Sequence, residues 1–173
     1  SLAANGVRVA IADVEDAALA AAADSFGESN ADIKPVHLDV TNRDEFVRVV
    51  DEIERDFGEI QFVCNTAGVG VGGHVADMTH KDWDWVLGVN LDGVVNGMVA
   101  CAGRIRARGQ GGHIVNTASM AGQIGIANLS VYNASKFAVV GLSEAARQDL
   151  APDDIGVSVL CPNLVRTNIL ESG

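Results

Sequence analysis

Tyr132 and Lys136 stand four residues apart in the run Ser130-Val131-Tyr132-Asn133-Ala134-Ser135-Lys136-Phe137-Ala138, and Tyr132 is the only tyrosine in the chain. The run reads as a helix entry, where four-residue spacing sets both side chains on one face. An ammonium held beside a phenol favours the phenolate and lowers a pKa that is ordinarily about 10. A tyrosine so placed becomes a proton donor and acceptor near neutral pH. The pair taken alone is also compatible with a surface tyrosine beside an ordinary helical lysine.

Such a pair needs a scaffold, and the chain reads as alternating strands and helices. Val7 to Ala12 is a short β-branched run that reads as a buried strand, followed by an alanine-rich helix from Asp16 to Phe26. Ile33 to Leu38 is a second strand. Thr41 with Asp44 resembles a capping box opening a helix through Phe57, with Phe46, Val49, Val50 and Ile53 on one face. Ile60 to Cys64 is a strand running into the loop Asn65-Thr66-Ala67-Gly68, and Gly68 to Gly73 is a glycine-rich loop. Thr79 and Asp82 cap a long helix towards Ala107. His113 to Thr117 is a strand, the helix of Tyr132 continues to about Leu150, and Ile155 to Leu160 is the last strand. Alternation of continuous apolar strands with helices predicts a parallel sheet covered on both faces.

At 173 residues the chain has the size of one domain, expected over residues 1–173. Nearly half of it is apolar, which argues against disorder, and a net charge of −11 argues against nucleic acid or anionic membrane as partner. Arg104, Arg106 and Arg108 read as the last turn of a helix, where cations suit the dipole. Cys64, Cys101 and Cys161 are odd in number and lie in or beside apolar stretches, so buried free thiols are expected; the four histidines show no metal-ligand spacing. No apolar run is read as long enough to span a bilayer, and the start lacks a signal peptide's regions, so a cytoplasmic setting is expected.

Five separately placed motifs now fall into one order. Asn65-Thr66-Ala67-Gly68, Val89-Asn90-Leu91-Asp92-Gly93, Ile114-Val115-Asn116-Thr117-Ala118-Ser119, the Tyr132/Lys136 pair and Pro162-Asn163-Leu164-Val165-Arg166-Thr167 resemble, in sequence, segments of the short-chain dehydrogenase/reductase family. The resemblance covers essentially the whole chain; Asn163 departs from it, replacing a glycine. It implies a three-layer αβα doubly wound parallel sheet of Rossmann-like type, with ligands beyond the carboxyl ends of the strands. Asp13, Asp39, Asn65, Ser119 and Pro162 all fall at such ends.

The resemblance also implies roles. Asp13 accepts hydrogen bonds from adenosine ribose hydroxyls and repels a 2′-phosphate, favouring NAD over NADP; its alternative is a helix-capping residue. Asp39 and Val40 contact the adenine, although Asp39 is equally explained as turn chemistry before Thr41. Asn65, Ala67 and Gly68 belong to a loop whose small residues let backbone approach the cofactor, or form an ordinary turn. Tyr132 exchanges the hydroxyl proton of a secondary alcohol or ketone, Lys136 tunes it and holds nicotinamide ribose hydroxyls, and Ser119 donates to the substrate oxygen. Asn90 anchors a water that leads protons from the lysine to solvent; alone it reads as a helix kink. Pro162, Val165 and Thr167 meet the nicotinamide carboxamide, Thr167 being equally a helix start. Val69, Val71, Ile124 and Ile126 suggest a mainly hydrophobic substrate. The family further implies pairing of the two long helices across a two-fold axis, giving homodimers or homotetramers.

The pattern departs from the family at both ends. A first strand with its glycine-rich loop, central in the sheet, is expected before Ser1, and the C-terminal strand after Gly173. Its place would lie between the strands of Val7 and Ile60, so this stretch alone is expected to bind NAD poorly. Two rivals stand beside an NAD-linked dehydrogenase: an NADPH-dependent carbonyl reductase of the same fold, and a catalytically inactive nucleotide-binding or regulatory fragment.

Overall fold

The computed structural model describes residues 2–27, 33–165 and 169. Two compact units form, residues 1–59 and residues 60–173, each around its own parallel sheet.

The first unit runs β1 (Val9–Asp13), α1 (Asp16–Asp24), β2 (Ile33–His37) and α2 (Arg43–Phe57). β1 and β2 pair in parallel with Asp13 opposite His37. β1 is only half-covered, not buried as its composition suggests, because β2 is its one hydrogen-bonded neighbour among the described residues. Pro35 lies within β2, tolerable where a strand gives up a ladder donor. Phe46, Val49 and Val50 of α2 are buried with Leu19, Ile33, Val36 and Leu38. The cap of α2 differs from the expected Thr41–Asp44 pair: Asn42 takes the position, its Oδ1 accepting from Glu45 N at 3.1 Å. Asparagine is at least as good an N-cap as threonine, and one residue decides which side chain reaches the free amide.

The second unit has strands β3 (Phe62–Asn65), β4 (Gly112–Thr117) and β5 (Ile155–Leu160) in that order, all parallel. Thr79 and Asp82 form the expected capping box. The long helix they open is α3 (His80–Leu87), a π-turn (Gly88–Asp92) and α4 (Gly93–Arg108), closed at Gly109 with φ 64°. The stretch His80–Arg108 is long and apolar enough to cross a membrane by length and composition, contrary to the expectation that no run is. Half of its apolar window is nevertheless buried inside the protein, and it carries the buried Asn90 and Asn96. Arg108 at its end donates to the Ile60 carbonyl at 2.5 Å. α5 (Ser130–Leu150) follows β4.

Asn116 of β4 reaches Met98 of α4 and Ser143 of α5, so that face of the sheet is the helix-covered one, with Ile114 and Val157 in the core. Phe62 and Leu160, 45% and 51% accessible, stay exposed, and so does Cys64. All three cysteines are free, but only Cys101 is fully buried; partial burial pushes the Cys64 thiol up. Alternating parallel strands and helices make the fold α/β and Rossmann-like.

Candidate active site

The chemistry expected of Tyr132 and Lys136 is concentrated where α5 begins. Both residues sit in its first two turns, and Lys136 Nζ lies 5.6 Å from the centroid of the Tyr132 ring. Lys136 is 2% accessible and donates to the Thr117 carbonyl at the end of β4 at 3.1 Å. Burial lowers its pKa from 10.5 to about 8, because a desolvated ammonium is less stable than the amine. A lysine is rarely buried this completely, and its amine comes off the helix to the strand ends rather than out to solvent.

Asn90 meets the same spot from the π-turn. A β-carbon on Gly68 would stand 3.4 Å from Lys136 Nζ and 3.5 Å from Asn90 Oδ1, so both polar groups converge on the bare Cα of that glycine. Asn90 is fully buried. Its Oδ1 accepts from Val69 N at 2.8 Å, and its Nδ2 donates to Val69 O at 2.9 Å and to Ser135 Oγ at 3.1 Å. The amide therefore clasps the glycine-rich loop by its backbone. A π-turn inserts one residue and rotates the side chain inward, a common device at functional sites. The helix is interrupted at Asn90 by this π-turn.

Ser119 follows β4 in extended backbone and caps a short 3₁₀ turn, its Oγ accepting from Ala121 N at 3.1 Å. Its hydroxyl proton has no acceptor among the described residues. Met120 N donates to Pro162 O at 2.9 Å, which sets Pro162 beside this turn. The turn rests directly on α5 at Gly122, where a β-carbon would meet Lys136 O at 2.6 Å and Lys136 C at 2.8 Å. Sequence reasoning passed over Gly122, since nothing but the approach of two backbones distinguishes it. Gly122→Ala is expected to cost roughly 1–3 kcal/mol by overpacking, and to lower turnover by pushing Ser119 from the helix. Urea unfolding together with a turnover assay checks both.

Asn65, placed in the cofactor loop by sequence, turns its amide into the protein: Nδ2 donates to Asn116 Oδ1 at 2.8 Å, over Gly97, which has no side chain to block it. It ties β3 to β4. Ala67 is exposed beside it and Gly68 half-buried. Val165 is 62% accessible, and Thr167 lies outside the described residues.

In the first unit Asp13 ends β1, and its Oδ1 accepts from Glu15 N at 2.9 Å; Glu15, not Asp13, stands at the N-cap of α1, so the capping alternative is not what the structure shows. Oδ2 has no partner among the described residues, so the carboxylate keeps an acceptor for a ligand hydroxyl. Asp39 likewise spends Oδ1 on Thr41, from its N at 2.9 Å and its Oγ1 at 2.8 Å; Val40 follows, half-buried. Among the described residues no group of three or more His, Cys, Asp or Glu could hold a metal ion.

A family profile described as short chain dehydrogenase matches residues 1–172. The C alpha-dehydrogenase of Sphingobium sp. (strain NBRC 103272 / SYK-6) is 38% identical over 168 residues, 96% of this chain and 55% of that protein. The crystal structure of a short chain dehydrogenase/reductase from Burkholderia phymatum in complex with NAD has a TM-score of 0.95 at 37% identity, over 98% of this chain and 61% of that one. An NAD⁺-bound xylitol dehydrogenase matches with a TM-score of 0.85 at 36% identity, over 89% of this chain and 59% of that one. The chain spans about half the length of the first of these relatives.

Proposed function

The chain belongs to the short-chain dehydrogenase family of oxidoreductases, and from that premise we propose that it serves the exchange of hydride between NAD(H) and a secondary alcohol or its ketone. The observation that carries this reading is the burial of Lys136 beside the ring of Tyr132, with its amine on the carbonyl that ends β4. A stability-driven fold has no use for an ammonium in that place.

The residues fit a nicotinamide dinucleotide: a carboxylate oxygen of Asp13 is uncommitted, and Gly68 leaves open the space that a β-carbon would fill between Lys136 and Asn90. Asp13 takes the adenosine ribose hydroxyls, and Asp39 and Val40 the adenine. Ala67 and Gly68 offer close backbone approach, with Asn65 holding their strand in place. Lys136 takes the nicotinamide ribose hydroxyls beside Tyr132, and Pro162, Val165 and Thr167 the carboxamide. Bound there, the nicotinamide supplies or accepts the hydride. Tyr132 moves the proton at the substrate oxygen, with the ammonium of Lys136 beside its ring. Ser119 donates its free hydroxyl proton to that same oxygen as charge develops on it. Asn90 keeps the loop of Val69 at the site, and a water bridging it to the lysine leads the proton outward.

The substrate is an apolar alcohol or ketone, to be met by loop residues that include Ile124 and Ile126, 54% and 41% accessible. The enzyme works as a homodimer or homotetramer through α4 and α5, whose Val99 and Phe137 are 76% and 45% accessible. The same reading keeps one domain over 1–173 and a cytoplasmic setting.

Turnover is read as absorbance change of NADH with a panel of secondary alcohols. Binding of cofactor without turnover on any of them would identify a nucleotide-binding module instead. The cofactor choice is tested at Asp13: Asp13→Ala is expected to raise KM for NAD⁺ about tenfold or more, the loss of a hydrogen bond to a charged group, and to improve relative use of NADP⁺. An unchanged ratio of the two cofactors would favour the rival NADPH-dependent reductase.

A further inference from the structure

Two serines of α5 carry the same three-part hydrogen-bond chain. Asn90 Nδ2 donates to Ser135 Oγ at 3.1 Å, and Ser135 Oγ donates to the carbonyl of Tyr132 at 2.7 Å. Just over two turns further along, Asn116 Nδ2 donates to Ser143 Oγ at 3.0 Å, and Ser143 Oγ donates to the carbonyl of Val139 at 2.7 Å. Asn90, Asn116 and Ser135 are fully buried and Ser143 is 2% accessible, so neither chain is shared with solvent.

A serine hydroxyl bonded back to its own helix adjusts one turn locally. A second element that donates to the same hydroxyl turns that adjustment into a fixed attachment. Cooperative polarisation strengthens each bond, since the hydroxyl accepts and donates at once in a dry interior. The two attachments differ in what they hold. Ser143 ties the middle of α5 to Asn116 of β4, and through it to Asn65, without touching the backbone of Tyr132 or Lys136. Ser135 ties the backbone of Tyr132 itself to Asn90, and through Asn90 to both backbone groups of Val69. Ser135 also directly precedes Lys136 in the chain.

We propose that Ser135 is a positioning residue for proton transfer, holding the Tyr132 carbonyl on Asn90 so that the first turn of α5 and the Val69 loop keep one spacing. This rests on the reading of Tyr132 as the acid–base group. The hydroxyl of Ser135 touches neither substrate nor cofactor; it acts through the backbone of Tyr132. The π-turn is part of the device, because it is what brings Asn90 within reach.

Ser143 supplies the control, since Ser135→Ala and Ser143→Ala each delete one buried hydroxyl from the same arrangement on the same helix. Ser135→Ala is expected to lower kcat about 10- to 100-fold, the scale of a small misplacement at a reacting group, with KM for NAD⁺ held within about twofold. The pH at half-maximal kcat should move as well, because the first turn of α5 that seats Lys136 shifts with it. Ser135→Thr, which keeps the hydroxyl, should restore most of kcat. Ser143→Ala should lower the melting temperature comparably yet leave kcat within about twofold and the pH profile in place. Equal kcat in the two alanine variants, or a Ser135→Ala enzyme that loses only melting temperature, overturns the proposal. Retained turnover in Tyr132→Phe is a separate result that overturns the acid–base reading, so the two failures are told apart.

Discussion

Tyr132→Phe in the full-length enzyme is expected to lower kcat by about 10²- to 10⁴-fold, the contribution typical of a positioned acid–base group. The substitution is unusually clean here. The Tyr132 hydroxyl has no partner among the described residues, so its removal strands no buried group, and unfolding free energy should stay within about 0.5 kcal/mol of the parent. The ring remains for Lys136 to lie against, at 5.6 Å from its centroid. Calorimetric titration with NADH should therefore give an affinity close to that of the parent while the absorbance assay shows little turnover. Full turnover with intact cofactor binding would leave the enzyme without its acid–base group and sink the mechanism.

Lys136→Met should separate activity from stability in opposite directions. The amine is desolvated, and its one hydrogen bond among the described residues goes to the Thr117 carbonyl, so its charge is held at a cost. A folded pKa of about 8 against 10.5 corresponds to about 3 kcal/mol of unfavourable burial of the ammonium. Methionine fills a similar volume with no charge, so the variant is expected to unfold at higher urea while turnover falls at least about 100-fold. The pH dependence has a definite sign. Between about 8 and 10.5 the unfolded chain holds a proton that the folded chain has released, so the folded form gains stability as pH rises through that window. Below about 8 both forms are protonated and the penalty is present in full. Urea midpoints for parent and variant should therefore differ most near pH 7 and converge towards pH 10. A parent more stable than the methionine variant at pH 7 would mean that the ammonium is not a burden on the fold.

Gly122 is bare so that the serine turn can rest on α5, where a β-carbon would meet the Lys136 carbonyl at 2.6 Å.

Much of this was legible in the chain before any coordinate. The Thr79–Asp82 capping box is a local exchange between a side chain and the amide three residues on, so spacing alone identifies it. The Tyr132/Lys136 pair is legible for the same reason, and so are the five strands, whose apolar runs leave little choice of element. The cap of α2 was misread at Thr41 because Asn42, its neighbour, is at least as able a cap, and the helix start moved by one residue. The exposure of Cys64 and of half of β1 could not be read from composition, because burial belongs to what packs on a face and not to the residues of the strand.

The order of elements and the pairing of Tyr132 with Lys136 on one helical face came from the sequence by itself, because helix and strand periods and caps are settled within a few residues. The tertiary structure alone decided that Lys136 is dry, that Asn65 turns inward to Asn116, that Asn90 is rotated by a π-turn onto Val69 and Ser135, and that Gly122 must be bare. Each of these depends on a partner dozens of residues away or on two backbones meeting. Desolvation and close packing are properties of that meeting, and no local spacing encodes them.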